Sequence, residues 1–326
     1  MISNIYPWQK QVWEALRGQR ERMPHALLIH GAQGIGKLRL AERFAQSLLC
    51  EAVDAAGEPC GECAGCRWLG AGSHPDCRWV EPEAQARQPA STAEADETAP
   101  ARAAKPSLEI KVDQVRALDD FLNLKSHRGG TRVALIHPAE AMNANAANAL
   151  LKGLEEPPGR AMFVLVSHRP ARLLATLRSR CVAVPVPKPD AAASLAWLES
   201  QRARDAAFWL AYASGSPLRA LQYASEAGAT LARRREALMA RDFDVLRAVN
   251  DREQLEELAE VLQRHALDKA FATYCGRGKY GTAAGSQAGV AWLRYARLMG
   301  RNRALARHPL NARLFAAEML KGMPDE

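Results

Sequence analysis

The sequence predicts an α/β phosphate-loop module, a parallel sheet with helices on both faces, followed by two all-helical regions. Three observations carry this. Short β-rich runs alternate with stretches of helical spacing over the first half of the chain. A G-x-x-x-x-G-K loop, Gly31 to Lys37, joins one such run to one such helix. After Pro185-Val186-Pro187 and Pro189 the β-rich runs stop, and the periodic stretches that remain read as helix.

The elements follow in order. "HALLIHG" (25–31) is an apolar run ending in Gly, a buried parallel strand. Beyond Gly36, Leu40, Ala41, Phe44, Ala45 and Leu48 fall at helical spacing. "CRWVEP" (77–82) is the next strand. The segment 84–107 contains no Val, Ile, Leu, Met or aromatic residue, so it has nothing to bury and reads as a mobile insert. "VDQVRALDDFLNL" (112–124) returns to helical spacing. "RVALIH" (132–137), "AMFVLVS" (161–167) and "CVAVPVP" (181–187) are strands, with helical stretches at 143–155 and 170–179 between them. Short helices fill 190–226. From about Leu231 to Lys321 the chain reads as helical apart from a loose stretch at 276–287. The expected domains are 1–187, 188–228 and 229–326.

With 326 residues, 48% of them hydrophobic and 25% charged, each domain can bury its own core. The net charge of +8 suits either an Arg-rich proteome or a place near nucleic acid and decides nothing. The N-terminal "MISNIYPWQK" lacks a basic segment followed by an apolar run, and no window reaches the ~18 apolar residues of a membrane span. A cytoplasmic protein is the expectation.

Four of the seven cysteines lie close together as Cys50-x9-Cys60-x2-Cys63-x2-Cys66. In a cytosolic chain such spacing suggests a metal before a disulfide. Four soft thiolates at tetrahedral positions suit structural zinc, and Gly61 and Gly65 loosen the backbone so that the sulfurs can converge. Two readings compete. The cysteines could simply be buried, although their segment is polar and Gly-rich. An iron–sulfur run wants a fourth Cys after three further residues, where this chain has Gly70. Cys77 reads as core.

A working phosphate loop cradles phosphates with backbone N–H groups, neutralises them with Lys and holds Mg²⁺ with a Ser or Thr hydroxyl. Gly31, Gly34, Gly36 and Lys37 retain the first two parts. Leu38 stands where the hydroxyl belongs and offers no lone pair. The strand expected to end on a metal-holding Asp, followed by a water-positioning Glu, ends on His137 and Pro138. Glu140 lies three residues further on, past a bend at Pro138, and is not expected to substitute. With three parts missing together, the chain is expected not to hydrolyse ATP. Residual nucleotide binding through Lys37 and a merely structural Gly-rich turn both remain open.

"NALLKGLEEPP" (148–158), "LLATLRSRC" (173–181) and the four-cysteine insert together resemble the clamp-loader AAA+ subunits of bacterial DNA polymerase III. "YPWQKQVWEAL" (6–16) and "GSHPDCRWVEP" (72–82) extend the resemblance, which is fullest over residues 1–187. The degraded loop places the chain with the subunits that do not hydrolyse ATP, as against the ATP-burning gamma/tau subunits. Two features depart from the family: the insert at 84–107 is long, and Cys77 stands where an aromatic residue would be unsurprising.

The resemblance implies an AAA+ module, a small helical lid and a helical collar that joins subunits into an open ring. It implies gamma/tau and delta subunits as partners. Through that assembly it implies contact with the sliding clamp and primer-template DNA, in an enzyme with DNA-directed DNA polymerase activity. Ser179, Arg180 and Cys181 match the family's S-R-C motif, in which the Arg reaches a neighbour's ATP site. A forked, always-charged guanidinium suits γ-phosphate oxygens; on its residues alone, Arg180 could equally be a surface or intrachain ion-pair arginine. Arg219 lies where related ATPases keep a sensor arginine, and with no hydrolysis to sense it reads either as structural or as touching a residual nucleotide. Ser167 and His168 fall near the other sensor position as remnants. Glu155 and Glu156 are expected to shape a helix end and pack the module, and Trp292, Tyr295 and Leu298 to form a bundle core or subunit seam. Two other classes compete: an active P-loop ATPase of gamma/tau type, and a zinc-dependent DNA-binding protein. Against the latter, the cysteine segment has only Arg67 close by.

Overall fold

The computed structural model describes residues 5–18, 23–86, 106–124, 126, 130–225, 228–276, 278, 289–306, 308 and 310–324. Most of the expected mobile insert at 84–107 and of the loose stretch at 276–287 lies outside them. Chain contacts divide the protein into two compact units, Met1–Pro189 and Asp190–Glu326.

The first unit is built from α1 (Lys10–Gly18), β1 (Ala26–His30), α2 (Lys37–Leu49), α3 (Ala64–Gly70), β2 (Cys77–Val80), α4 (Val112–Asn123), β3 (Arg132–Ile136), α5 (Ala144–Glu155), β4 (Ala161–Ser167), α6 (Ala175–Ser179) and β5 (Val182–Pro185). The five strands form one sheet in the order β2-β3-β4-β1-β5. All four strand pairs are parallel, with Leu28 opposite Leu165 and Ala183. This is the α/β architecture that the sequence predicts, a parallel sheet with helices on both faces.

Side chains alternate across the sheet because a strand has a period of two. Ala26 and Leu28 of β1 join one apolar cluster with Val115, Leu118, Leu150 and Leu154 of α4 and α5. Leu27 and Ile29 join the opposite cluster with Trp13, Leu40 and Phe44 of α1 and α2. Burial on both faces explains why the central strands β1, β3 and β4 read as unbroken apolar runs, whereas the edge strand β5 is largely exposed. The expected helix at 170–179 is instead a 3-10 turn at 170–172 followed by the short α6, because Leu173 and Leu174 between them take non-helical backbone; Pro170 starts the turn, where its missing N–H costs nothing. The base of the 84–107 insert is closed: Ala84 N–H donates to the Ser107 carbonyl at 3.0 Å.

The second unit is helical: α7 (Ala191–Ser200), α8 (Ala206–Tyr212), α9 (Pro217–Ala224), α10 (Ala229–Met239), α11 (Phe243–Arg247), α12 (Arg252–Cys275), α13 (Gly289–Leu305) and α14 (Ala312–Lys321). Asp190, Asp242, Asp251 and Asn311 cap four of these helices, each side chain accepting from the N–H three residues on. Such a cap stabilises a helix by about 1 kcal/mol. One apolar cluster runs from Leu198 and Trp209 through Leu258 and Leu262 to Trp292, Tyr295 and Met319. Leu298 does not belong to it and is exposed, whereas Trp292, Tyr295, Ala296 and Met299 define the inward stripe of α13. Among the described residues no helix is long and apolar enough to cross a membrane.

Candidate functional site: a self-engaged phosphate loop, a thiolate cluster and an edge arginine

The loop between β1 and α2 has the backbone of a phosphate cradle. Gly31, Gly34 and Gly36 all have positive φ, which only glycine adopts without strain. At Gly31 a Cβ would also meet the Val186 carbonyl oxygen at 2.5 Å. Lys37 opens α2 but does not face outward. Its side chain is 2% exposed, and its ammonium donates to the Gly31 carbonyl at 2.9 Å and the Ala32 carbonyl at 2.5 Å. Burial pulls the Lys37 amine down to about 8, opposed by the Glu140 carboxylate. Leu38 packs into the apolar cluster beneath the loop.

The N-terminal segment clasps this loop from outside. Trp8 Nε1 and Gln9 Nε2 both donate to the Ile35 carbonyl, at 2.9 and 3.0 Å. Gln9 Oε1 accepts from Tyr6 N–H at 3.1 Å, which closes the clasp on itself. The Tyr6 ring stacks on Trp8, 5.0 Å between centroids and 4° from parallel. It lies so close to Gly36 that a Cβ there would collide with it. Trp8 and Gln9 had no local signal, since their partner lies 27 and 26 residues away.

At the ends of β3 and β4, where metal-holding and sensor groups would sit, the chain places His137, Glu140, Ser167 and His168. Glu140 follows the bend at Pro138. The turn at 139–141 brings its charge into range of Lys37, and Glu140 Oε1 accepts from His168 N–H at 2.9 Å. The His137 and His168 rings meet edge-on with centroids 5.2 Å apart. Burial, with Lys37, His137 and Arg169 adding positive charge, holds the His168 imidazole down at about 3, so it is neutral. Neither Glu140 Oε2 nor His168 Nδ1 has a hydrogen-bond partner among the described residues. Ser167 is fully buried, and its hydroxyl accepts from Arg169 N–H.

Cys50, Cys60, Cys63 and Cys66 converge as their spacing predicts, with all four Sγ atoms within 4.8 Å of one another. Cys50 Sγ is 3.6 Å from Cys60 Sγ and 3.9 Å from Cys63 Sγ. Two thiolates on a tetrahedral zinc with Zn–S bonds of about 2.3 Å would stand roughly 3.8 Å apart, so the donor set fits that ion. Four backbone N–H groups already point at the sulfurs: Cys60 at Cys50, Cys63 at Cys60, and Glu51 and Cys66 at Cys63, all between 3.3 and 3.5 Å. Burial raises the Cys63 thiol, yet the N–H groups of Glu51 and Cys66 and the neighbouring thiols bring it down to about 6. Burial pushes the Cys66 thiol up to about 12. Cys77 is buried in the core as expected.

Glu58, inside this knuckle, ties it to the loop's surroundings. Its carboxylate accepts from Trp13 Nε1 at 2.5 Å, and from Arg17 and Arg43 at 3.0 Å each. Thus one carboxylate holds the knuckle to both α1 and α2.

Arg180 sits apart from the loop, at the C-terminal end of α6 and just before the edge strand β5. Its Nη1 donates to the Thr176 carbonyl at 3.0 Å, and Ser179 Oγ donates to that same carbonyl at 3.1 Å. Its Nη2 pairs with Glu155, the last residue of α5. Cys181 packs against the core, and burial pushes its thiol up to about 11, which keeps it neutral. Glu156 caps α5, and Pro157 prevents the helix from continuing. Arg219, in the second unit, is held at home: Nη2 contacts Tyr223 and pairs with Glu260 at 2.9 Å, a carboxylate shared with Arg264 and Arg303. Arg67 is exposed on α3.

The family model described as DNA polymerase III, delta subunit, matches residues 8–190, more than half of the chain. The DNA polymerase III subunit delta' of Pseudomonas aeruginosa is 47% identical over 223 residues, covering 67% of this chain and 61% of that protein. The match therefore spans about three fifths of the relative's length. The DNA polymerase III subunit tau of Salmonella typhimurium is 33% identical over 49% of this chain and 21% of its own. A solved DNA polymerase III gamma subunit-related protein from Thermotoga maritima covers 95% of this chain and 97% of its own, at 18% identity and a TM-score of 0.49.

Proposed function

This chain belongs to the family described as DNA polymerase III, delta subunit, and from that premise we propose that it is a non-hydrolysing, delta-prime-type subunit of a bacterial clamp loader. It acts as a rigid stator beside gamma/tau and delta subunits, in the cytoplasm. Through that assembly it helps to set the sliding clamp on primed DNA. Residues 188–228 serve as the lid region and 229–326 as the collar.

The observation that carries the non-hydrolysing part is the Lys37 ammonium spent on the Gly31 and Ala32 carbonyls. A triphosphate would have to break both bonds and draw out a buried amine. It would then meet Leu38 in place of a magnesium-binding hydroxyl, and His137 in place of a carboxylate. Positioning and charge stabilisation are nearly all that a protein contributes to phosphoryl transfer, and here the backbone cradle remains while the metal-holding groups are missing and the lysine is engaged.

Arg180 supplies what the chain contributes to its neighbour. It is one-third exposed, next to an edge strand, with its stem anchored and part of its fork able to take phosphate oxygens. In GTPases an arginine supplied in trans raises the rate by about 10³–10⁵, an upper guide for this site. Cys50, Cys60, Cys63 and Cys66 would hold one zinc, which supplies a cross-link between the end of α2 and the start of α3 and no chemistry on the nucleotide.

Two measurements test the reading. The purified chain is incubated with Mg²⁺ and ATP, and then reconstituted with gamma/tau and delta subunits with Arg180 intact or replaced by Ala. The expected results are no phosphate release from the chain alone, a stoichiometric complex, and a lower DNA-stimulated ATPase for Arg180→Ala. Magnesium-dependent turnover by the chain alone, or an unchanged assembly, overturns it.

A further inference from the structure

We infer that Glu155 is the positioning residue for Arg180, presetting the guanidinium for the neighbouring subunit's nucleotide; the inference rests on the trans role proposed above. The local geometry is specific. α6 is only five residues long, and at its end the Arg180 N–H turns back to the Leu177 carbonyl, three residues earlier. That leaves the Thr176 carbonyl to side chains, and both Ser179 Oγ and Arg180 Nη1 take it. The helix end therefore fixes one nitrogen of the fork. Glu155, from the end of α5 and 25 residues away in sequence, fixes the other.

Two anchors on separate elements define the plane of the guanidinium, whereas one would leave it free to swing. A flexible Arg loses rotamer entropy whenever it docks on a ligand, and pre-ordering removes part of that loss from the docking step. The anchors leave N–H groups over, because a guanidinium carries five donors. The pair is also suited to yielding. The Glu155 side chain is 51% exposed and that of Arg180 34%, and exposed ion pairs are weak. A polyphosphate, with more negative charge than one carboxylate, can share or displace it.

Of the two glutamates before Pro157, the first is the one that reaches Arg180. Glu155 closes the last turn of α5 and reaches α6. Glu156 is the exposed C-cap, and its N–H is taken by the Lys152 carbonyl.

The test is a double-mutant cycle in the reconstituted assembly, with Glu155→Gln, Arg180→Ala and the pair. Gln keeps the size and removes the charge at an exposed position, and thermal melting with complex formation checks that each variant is folded. The expected result for Glu155→Gln is a fall in kcat of the DNA-stimulated ATPase of about three- to tenfold at the site served, with KM for ATP nearly unchanged. That is less than the ~10² that a 1 Å misplacement can cause. Adding Glu155→Gln to Arg180→Ala should lower the rate no further. If Arg180→Ala lowers the rate but Glu155→Gln does not, or if the Glu155 effect persists without Arg180, the positioning role is wrong and the trans role stands. If Arg180→Ala is silent, the trans role fails and the positioning role with it.

Discussion

The Lys37 ammonium lies 2.5 Å from the Ala32 carbonyl of the same loop. The cation that grips a triphosphate in an active phosphate loop here grips the backbone that carries it. This is a low-energy use of a buried amine only because the loop offers two carbonyls, and the chain bears a residual burden from desolvation.

That burden has a pH signature. The amine titrates near 8 when folded and near 10.5 when unfolded. Between these values the unfolded chain binds more protons, so stability should rise as pH increases from 8 towards 10.5. At about 1.4 kcal/mol per unit, the whole rise is on the order of 3 kcal/mol. Urea unfolding at pH 7, 8, 9 and 10 should show it, and Lys37→Met should remove it. An identical rise in the variant would mean that another group is responsible.

Leu38→Thr restores one missing part and should restore no activity. The substitution supplies a hydroxyl, yet Lys37 would remain tied to the loop and β3 would still end without a carboxylate. Phosphate release should stay at background. The variant should be less stable by about 1 kcal/mol, because a partly buried methyl-rich side chain leaves the cluster beneath the loop. A magnesium-dependent rate for L38T would show that the loop opens readily.

Gly36→Ala should be among the more damaging single-methyl additions in the first unit. The residue has φ +83, and a Cβ would enter the Tyr6 ring. The left-handed backbone alone costs about 1–2 kcal/mol for a non-glycine residue, and displacement of Tyr6 adds to it. Thermal melting should fall by several degrees, with ~2–4 °C expected per kcal/mol in a unit of this size. Combining it with Tyr6→Ala should recover part of the loss, and failure to recover any would place the strain elsewhere.

Glu58→Ala should weaken both the knuckle and its hold on α1 and α2. It removes the acceptor for Trp13 Nε1, Arg17 and Arg43, a loss of about 2 kcal/mol for a partly buried carboxylate with three donors. By contrast, Asp113→Ala removes an exposed pair with Arg116 and should change stability by less than about 0.5 kcal/mol. The Trp13 contact gives an optical readout, since its fluorescence should change in E58A and not in D113A.

Protein purified without chelator should contain about one zinc per chain, and stripping it should shift the same tryptophan signal. Thiolates must stay deprotonated to hold the ion. Acidification should therefore release it, and Cys60→Ser should lower its affinity. Iron with visible absorbance in place of zinc would contradict the assignment.

Much of this molecule was legible in its residues. The central strands β1, β3 and β4 could be read because their two buried faces make apolar runs, two of them bounded by Gly31 and Pro138; the edge strand β5 is largely exposed and was legible from its β-branched residues before Pro185. The cysteine cluster could be read because x2 spacings leave three sulfurs little choice but to approach one another. The missing hydroxyl at Leu38 and the missing carboxylate at His137 are matters of residue chemistry and need no coordinates. So is the presence of an S-R-C motif at 179–181.

Tertiary structure alone decided how those groups are used. Nothing near Trp8 in the sequence announces Ile35, nor does anything near Trp13 announce Glu58, 45 residues away. The sequence places Glu140 only as lying beyond Pro138, and the turn that follows brings its charge into range of Lys37. Glu155 read as a helix-end residue until the packing of α5 beside α6 placed Arg180 within its reach. Local periodicity encodes which face of an element is buried, because burial is a property of each side chain's own polarity. Which polar atom meets which is set by the positions of whole elements, and those follow from the sum of packing across the core rather than from any one residue.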